Sequence, residues 1–309
     1  MGVTTEPVAP TLVRRAVDWT RSPLLLRRLA VLSVVVNVGI VVTGGAVRLT
    51  NSGLGCPTWP HCTNGDLVPT SRLGIHGVIE FTNRTLTFVV GISLALTFLV
   101  AWRQRRHARL ALLALLGVPA QAVLGGIVVL TDLNPWLVAG HFLLSMAIIA
   151  ASYLLWWRVA GRTSVAVPPP ARWLTWALTA AAALVLVAGT VVTGVGPHAG
   201  DLKNGVVKRI HLPIAGAAQL HADLVMVLIG LTVGVVALGF TLLGADRLRR
   251  AALVLLGVEL AQGVIGYTQY FLHVPAGLVE LHMLGACLVW IAALQVLFTV
   301  NARPLRTAG

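Results

Sequence analysis

Eight apolar segments of membrane-spanning length constrain this chain more than any other feature of its sequence. They lie at about 27–49, 75–102, 108–130, 136–157, 172–195, 212–243, 249–271 and 278–301. A helix needs about 20 mainly apolar residues to cross the hydrocarbon core of a bilayer. The composition agrees, because 57% of the 309 residues are hydrophobic and only 11% are charged. The sequence therefore predicts an all-α polytopic membrane protein with eight transmembrane helices.

Basic residues lie mainly on one side of the membrane that these segments define. Seventeen of the 23 Lys and Arg residues fall in the N-terminal arm, in the C-terminal tail or in connections that alternate to the same side. Cytoplasmic connections of membrane proteins carry such an excess. We therefore expect a multi-pass protein of the cell membrane, embedded in the lipid bilayer, with cytoplasmic N- and C-termini. The asymmetry also accounts for the net charge of +13, so a nucleic acid is not expected as a partner.

Two parts of the chain repeat one pattern at a constant offset of 141 residues. Without a gap, a glutamine, a glycine and a histidine align with the same residue types: Gln121, Gly125 and His141 with Gln262, Gly266 and His282. The first helix pair of each half aligns less closely, with Glu80 on Gln219. The repeat predicts a potential metal ligand at the same depth in each half.

A Pro-rich, basic segment at 158–172 divides the chain into two halves of four spans each. Because each half has an even number of spans, both insert in the same orientation, as parallel repeats do. We predict two pseudo-symmetric four-helix bundles, at 27–160 and at 172–301. The other parts are a cytoplasmic arm at 1–26, the cytoplasmic linker at 161–171 and a cytoplasmic tail at 302–309.

Two histidines within the spans of the C-terminal half indicate a metal site. His221 and His282 lie on the second and fourth helices of that half. Ionisable side chains inside a membrane are costly and are candidates for function. Two inward imidazoles at matched depth are a common way for a helix bundle to hold heme iron. The alternative is that each histidine separately bonds a helix carbonyl; zinc is less favoured, because no cysteine or carboxylate clusters with the pair.

The N-terminal half keeps only one of these histidines, His141. Its second helix instead carries His76, Glu80 and Asn83 on one face, and Arg84 follows Glu80 by four residues. The carboxyl of Glu80 either forms a structural pair with Arg84 or points into the N-terminal bundle to act on a ligand. Both interpretations stay open, and we favour the second.

The three cysteines are divided between a loop and a helix. Cys56 and Cys62 lie in the first external loop, GLGCPTWPHC, where an oxidising compartment permits a disulfide. We favour a disulfide; two free thiols or a metal clip that includes His61 are the alternatives. Cys287 lies inside the last span, where a packing role is expected.

Other residues near the external ends of the spans have simpler expected roles. Trp59 and Trp136 are expected to anchor the protein at the membrane interface. Several cations on this side could bind carboxylates such as heme propionates: Arg48, Arg72, Lys203, Lys208 and Arg209.

The motifs GLGCPTWPHC, IEFTNR and QLHADL, with the two later histidine-bearing helices, resemble the heme A synthase family over the whole chain. Members of that family have eight spans in two bundles and oxidise the C8 methyl of heme O to the formyl of heme A. The resemblance implies that His221 and His282 are the axial ligands of a heme b cofactor. It also implies that His141 binds the iron of the substrate heme and that Glu80 is the catalytic carboxylate.

One position departs from the family pattern. The second-helix motif of the family is E-x-x-H-R, whereas this chain has E-F-T-N-R, with Asn83 in place of the histidine. We assign Asn83 and Arg84 to substrate binding together with His141. Because Asn is a poor iron ligand, one axial position of the substrate heme is expected to be open or filled by water. His76 is an alternative ligand, although it lies about 10 Å further along the helix.

Three functions are compatible with two heme sites: a heme A synthase, a non-catalytic diheme b-type electron carrier, and a heme transporter or chaperone. A carrier would be expected to keep two histidines in each half, so the asymmetry favours a substrate site beside a fixed cofactor. The resemblance implies heme O as substrate and heme A as product. Candidate partners are heme O synthase, terminal oxidase assembly factors and an external electron acceptor.

Overall fold

The computed structural model describes residues 20, 22–63, 65–201 and 208–300. These residues form eight long helices, which are α1 (Pro23–Leu49), α2 (Gly74–Arg103), α3 (Ala108–Leu130), α4 (Pro135–Val159), α5 (Pro169–Val195), α6 (Ile214–Thr241), α7 (Asp246–Phe271) and α8 (Ala276–Thr299). All eight are long and apolar enough to cross a membrane, and the described residues contain no β-strand. The predicted all-α polytopic fold is therefore confirmed. The predicted arm at 1–26 lies mostly, and the tail at 302–309 wholly, outside the described residues.

Prolines set the starts of several helices. Pro23, Pro135 and Pro169 each open a helix, a position where the missing N–H costs nothing and the fixed φ already suits the helix. α4 has a further cap, because the side chain of Asn134 accepts a hydrogen bond from the Trp136 N–H at 3.0 Å. α1 and α5 therefore begin three or four residues before the apolar segments that predict them.

The helices pack as two groups of four. α1 contacts α2 and α4, and α3 contacts α2 and α4; α5 to α8 repeat the same arrangement. Between the groups, α8 contacts α1 and α4, and α4 also contacts α5. Two four-helix bundles side by side would make these contacts. That the two halves are related by duplication stays a prediction.

Apolar side chains fill the contact between the two groups and cover the outside of the helices. Val41, Met146, Ile149 and Cys287 belong to one buried cluster that joins α1, α4 and α8. The thiol of Cys287 is free and fully buried. Large apolar side chains such as Phe88, which is 73% exposed, face outward, where lipid would cover them.

The described parts of the two longest connections, which are residues 50–63, 65–73, 196–201 and 208–213, lie at the same end of the helices, here called the long-loop end. Arg48, at the end of α1, donates hydrogen bonds from Nε to the His198 carbonyl at 2.5 Å and from Nη2 to the Thr193 carbonyl at 2.9 Å. Lys208 donates to the Asp132 carboxylate at 3.1 Å. These two cations therefore bind loop atoms of the chain itself. Lys203, another predicted propionate ligand, lies outside the described residues.

Candidate heme sites

The structure brings together the two histidines of the C-terminal half. His221 on α6 and His282 on α8 have ring centroids 6.4 Å apart, with their planes at 71°. A metal–imidazole bond is about 2 Å long and a ring nitrogen lies about 1 Å from the ring centre, so two imidazoles on opposite sides of one metal have centroids about 6 Å apart. The spacing of this pair therefore suits a single metal atom between the rings, as in axial heme ligation.

Glycines on the preceding helices leave room for both rings. A Cβ on Gly189 of α5 would lie 3.3 Å from Cε1 of His221, and a Cβ on Gly266 of α7 would lie 3.4 Å from Cε1 of His282. The Nδ1 atoms of both histidines are buried without a hydrogen-bond partner in the chain; that of His221 faces the Val185 carbonyl outside hydrogen-bonding geometry. Buried polar atoms are normally satisfied, so each ring has a bond to offer that a heme iron or a group bound with it would fill.

The N-terminal half has the same arrangement with one ligand replaced. His141 on α4 lies against Gly125 of α3, whose Cβ would be 3.1 Å from the ring, and its Nδ1 is also buried without a partner in the chain. Across the bundle, Asn83 on α2 lies against Gly44 of α1, at 3.9 Å from a Cβ there. The Asn83 amide oxygen accepts a hydrogen bond from the Thr43 hydroxyl at 2.7 Å.

These glycine contacts favour a different register from the alignment made from the sequence. Asn83 and His221 each lie against a glycine of the preceding helix, which would pair these two residues with each other. The alignment of Glu80 on Gln219 differs from this register by one residue, which is about 100° around a helix. The alignment of the second helices stays a prediction.

The repeated glutamines have the same role in both halves. Gln121 Nε2 donates to the His141 carbonyl at 3.0 Å, and Gln262 Nε2 donates to the His282 carbonyl at 2.8 Å. Each bond ties the backbone of the histidine to the preceding helix. The 141-residue repeat thus preserves the support of the histidine as well as the histidine.

Glu80 and Arg84 form the structural pair that is the less favoured of the two interpretations of the sequence, and the pair holds a loop. The Glu80 carboxylate is 5% exposed; it accepts from the Cys56 N–H at 2.6 Å and from Arg84 Nε at 3.0 Å, with a further bond from Arg84 Nη2. Arg84 also donates to the carbonyls of Cys56 at 2.8 Å, Thr58 at 3.0 Å and His61 at 3.3 Å. All five N–H groups of the guanidinium therefore have acceptors. A role of Arg84 in substrate binding stays a prediction.

The loop held by this pair is closed by a disulfide. Cys56 and Cys62 are bonded to each other, and both are buried. The predicted disulfide is therefore confirmed. His61, the third member of the alternative metal clip, is an exposed residue of the loop.

Trp59, expected to be an interface anchor, lies against a helix instead. A Cβ on Gly126 of α3 would come within 2.5 Å of the Trp59 ring, so the indole occupies the space that any other residue at this position would take. The sequence contains a signal for this contact. The offset of 141 places Gly126 on Tyr267, so this glycine, unlike Gly125, is not part of the repeat. Trp136 is 59% exposed, and its role as an anchor stays a prediction.

His76 lies nearer the long-loop end than Glu80. Its Nδ1 is 3.0 Å from the Ser52 hydroxyl. It lines a cavity of about 310 Å³ together with Arg72 and Asp201, among other residues. Its described polar contact is thus with the first loop and not with the residues around His141.

The helices and their buried histidines define a polytopic α-helical membrane protein with candidate iron ligands between its helices. The sequence profile of the family described as "Cytochrome oxidase assembly protein" matches residues 27–294. The chain belongs to that family.

Relatives with an assigned function have a common name. The chain is 34% identical over 178 residues to the "Heme A synthase" of Lysinibacillus sphaericus (strain C3-41), covering 54% of this chain and 57% of the relative. It is 37% identical over 122 residues to the "Heme A synthase" of Bacillus cereus (strain AH187), covering 38% of this chain and 39% of the relative. The chain thus spans little more than half the length of the first relative and less than half of the second.

Proposed function

We propose that this protein is a heme A synthase, a membrane oxidoreductase that oxidises the C8 methyl of heme O to the formyl of heme A for terminal oxidase biogenesis. Membership of the cytochrome oxidase assembly protein family supports this function, as do relatives named "Heme A synthase". The observation that carries the proposal is the inequality of the two halves. One half has an imidazole pair at 6.4 Å, and the other has His141 on its fourth helix and Asn83, bonded to Thr43, on its second.

In this proposal the C-terminal half holds a heme b cofactor between His221 and His282. Gly189 and Gly266 leave space beside the rings, and Gln262 fixes the backbone of His282. Bound heme supplies one-electron redox chemistry. The chain itself contributes two half-buried imidazoles that are already at the required separation, so little reorganisation is needed when the heme binds.

The N-terminal half binds heme O as substrate, with His141 as its iron ligand. Asn83 stands where a second imidazole would be, and Thr43 holds its amide oxygen at 2.7 Å. An amide is not a usual heme ligand, so the face of the substrate toward α2 is left open. Glu80, three residues before Asn83 on the same helix, is the proposed catalytic carboxylate, and Arg84 keeps a cation beside it.

The proposed location is the cell membrane, with both termini in the cytoplasm. Conversion of the methyl to the formyl adds an oxygen atom and removes electrons, so the proposal requires an external source of that oxygen atom and an external electron acceptor. Heme O synthase and terminal oxidase assembly factors are the proposed partners for delivery of the substrate and use of the product.

Co-expression with a source of heme O, followed by analysis of the extracted hemes, tests the proposal. We expect heme A or its hydroxylated precursor in the wild type and neither in the His141→Ala variant. Bound heme O without either product would contradict the enzyme and favour a transporter. Heme b alone in both halves would favour an electron carrier.

A further inference from the structure

Trp59 lies beside the residues that surround His141. Its ring packs on Gly126, and the neighbouring Gly125 packs on the His141 ring at 3.1 Å from a Cβ. Gly126 is one turn from the end of α3, so the indole reaches below the ends of the helices. No other large side chain could share that space, because a Cβ on Gly126 would already be 2.5 Å from the indole.

The backbone on both sides of Trp59 is held by one side chain. Arg84 donates to the carbonyl of Thr58 at 3.0 Å, just before the tryptophan, and to the carbonyl of His61 at 3.3 Å, two residues after it. Glu80 accepts from the Cys56 N–H at 2.6 Å at the start of the loop, and the disulfide closes the loop at Cys62. The indole is thus placed by a network that starts on α2, one turn from Asn83.

We propose that Trp59 forms the outer wall of the heme site at His141, and that Arg84 acts as a positioning residue that holds this wall against α3. The ligand is the substrate porphyrin, so the inference rests on the proposed function and adds the residue that closes its site. The indole is 39% exposed, which leaves part of its ring available to contact a porphyrin edge. Tryptophan suits this role, because its large ring offers an apolar surface to a flat aromatic ligand.

This wall explains why the two halves differ at the position of Gly126. In the C-terminal half the equivalent residue is Tyr267, 64% exposed, which carries its own ring on the helix. A wall supplied by a loop can be displaced while the helices stay in place. A site that must admit a substrate and release a product needs such an opening, whereas a fixed cofactor does not.

Heme release tests the inference without any turnover. Full-length protein in detergent is loaded with heme b and heme O and mixed with excess apomyoglobin, which takes up released heme. Absorbance follows the release over time. The kinetic phase of release that is missing in the His141→Ala variant is the one from the substrate site. We expect Trp59→Ala to accelerate that phase about tenfold, as loss of an aromatic contact would. Trp59→Phe keeps an aromatic ring and should release heme at nearly the wild-type rate. Trp136→Ala, which removes an exposed tryptophan on α4, is the matched control.

Two further variants test how the wall is placed. Gly126→Ala should accelerate the same phase by displacing the indole, whereas Gly39→Ala, where a Cβ meets nothing within 4 Å, should not. Arg84→Ala should also accelerate it, and combining Arg84→Ala with Trp59→Ala should give no further increase, because both changes remove one wall.

The outcomes separate the wall from general damage and from the proposed function. Release from His221 and His282 should stay at the wild-type rate, which serves as an internal control for folding. Equal acceleration of both phases, or no change with Trp59→Ala, would overturn the inference. If release depends on Trp59 but no oxidised heme is made in the co-expression experiment, the proposed heme A synthase activity is contradicted and the proposed role of Trp59 at the heme site is supported. A wild type without a His141-dependent phase would overturn both.

Discussion

The two halves of this protein use the same scaffold around different ligand sets. In both, a histidine on the fourth helix lies against a glycine of the third, and a glutamine binds the carbonyl of that histidine. On the second helix, His221 in one half is replaced by Asn83 in the other. The difference teaches that a proposed cofactor site and a proposed substrate site can differ by one side chain while the helices around them keep the same contacts.

Removal of a histidine from the pair should have the largest effect. We expect His282→Ala to abolish the low-spin b-type absorption spectrum, because one axial ligand cannot give a bis-imidazole iron. His76→Ala should leave the spectrum unchanged, because His76 contacts Ser52 in the first loop. Absorption spectra of the purified variants measure both, and loss of the spectrum with His76→Ala would reverse the assignment.

Insertion of the missing imidazole should remove the difference between the halves. Asn83→His would place a ring beside Gly44, where a Cβ lies 3.9 Å from the present side chain, much as His221 lies beside Gly189. We expect a second low-spin heme in the absorption and EPR spectra, with loss of heme A formation if the open position is needed. Full activity together with a second low-spin signal would show that the open position has no role in the reaction.

Loss of the cation beside Glu80 should reduce stability without touching the ligand pair. Arg84→Ala leaves a carboxylate that is 5% exposed without its partner, a change that costs about 3 kcal/mol. Thermal unfolding in detergent measures it. Arg72→Ala, which removes an exposed arginine near the same end of α2, is the control and should have little effect. Similar melting temperatures for the two variants would contradict the importance of the pair.

Gly→Ala substitutions beside the histidines should have a smaller effect on heme binding, and the effect should differ between the two halves. A Cβ at Gly125 would lie 3.1 Å from the His141 ring, closer than most such contacts, whereas at Gly266 it would lie 3.4 Å from His282. We therefore expect Gly125→Ala to weaken heme binding in the N-terminal half several-fold more than Gly266→Ala does in the C-terminal half. Heme titrations measure both effects. Gly257→Ala, in open space, serves as control; the reverse order would contradict the geometry.

The glutamine contacts should have the smallest effect. Gln121→Leu and Gln262→Leu each remove one hydrogen bond to a histidine carbonyl, which contributes about 1 kcal/mol, and Gln121→Leu also removes the bond from Nε2 to the Ser145 hydroxyl at 2.5 Å. We therefore expect chemical unfolding to show a loss of stability for both variants, with the larger loss for Gln121→Leu. No loss for either variant, or a larger loss for Gln262→Leu, would contradict this role of the glutamines.

The features of this structure that could be predicted from the sequence are those that follow from the surrounding lipid. The transmembrane helices can be predicted because every backbone polar group must be hydrogen-bonded inside the helix when lipid surrounds it. The histidines can be selected as functional candidates because an ionisable side chain inside the membrane is costly. The register that would pair Asn83 with His221 could not be predicted from the sequence. It depends on how each helix is rotated about its axis, and a shift of one residue changes that rotation by about 100°.

The contacts made by the loops could not be predicted from the sequence patterns. A pair between Arg84 and Glu80 was one of two interpretations left open by the sequence, but the bonds of Arg84 to Thr58 and His61 depend on a loop path that no periodicity encodes. The same holds for Trp59, whose partner Gly126 lies on α3. An arginine or tryptophan near a membrane surface has many possible partners, and the packed loop selects among them.

The hydrogen bond from Arg48 to the Thr193 carbonyl has a consequence for how such a chain could have arisen. Arg48 follows Gly44 by four residues, and Thr193 follows Gly189 by four, so the two would occupy matching places in the predicted repeat. In a symmetric dimer of one ancestral unit, matching places meet only near the twofold axis, and two arginines there would repel each other. Fusion of two gene copies removes that conflict, since one copy can keep the charge while the other becomes neutral. The covalent link would thus permit a contact that identical subunits could not make.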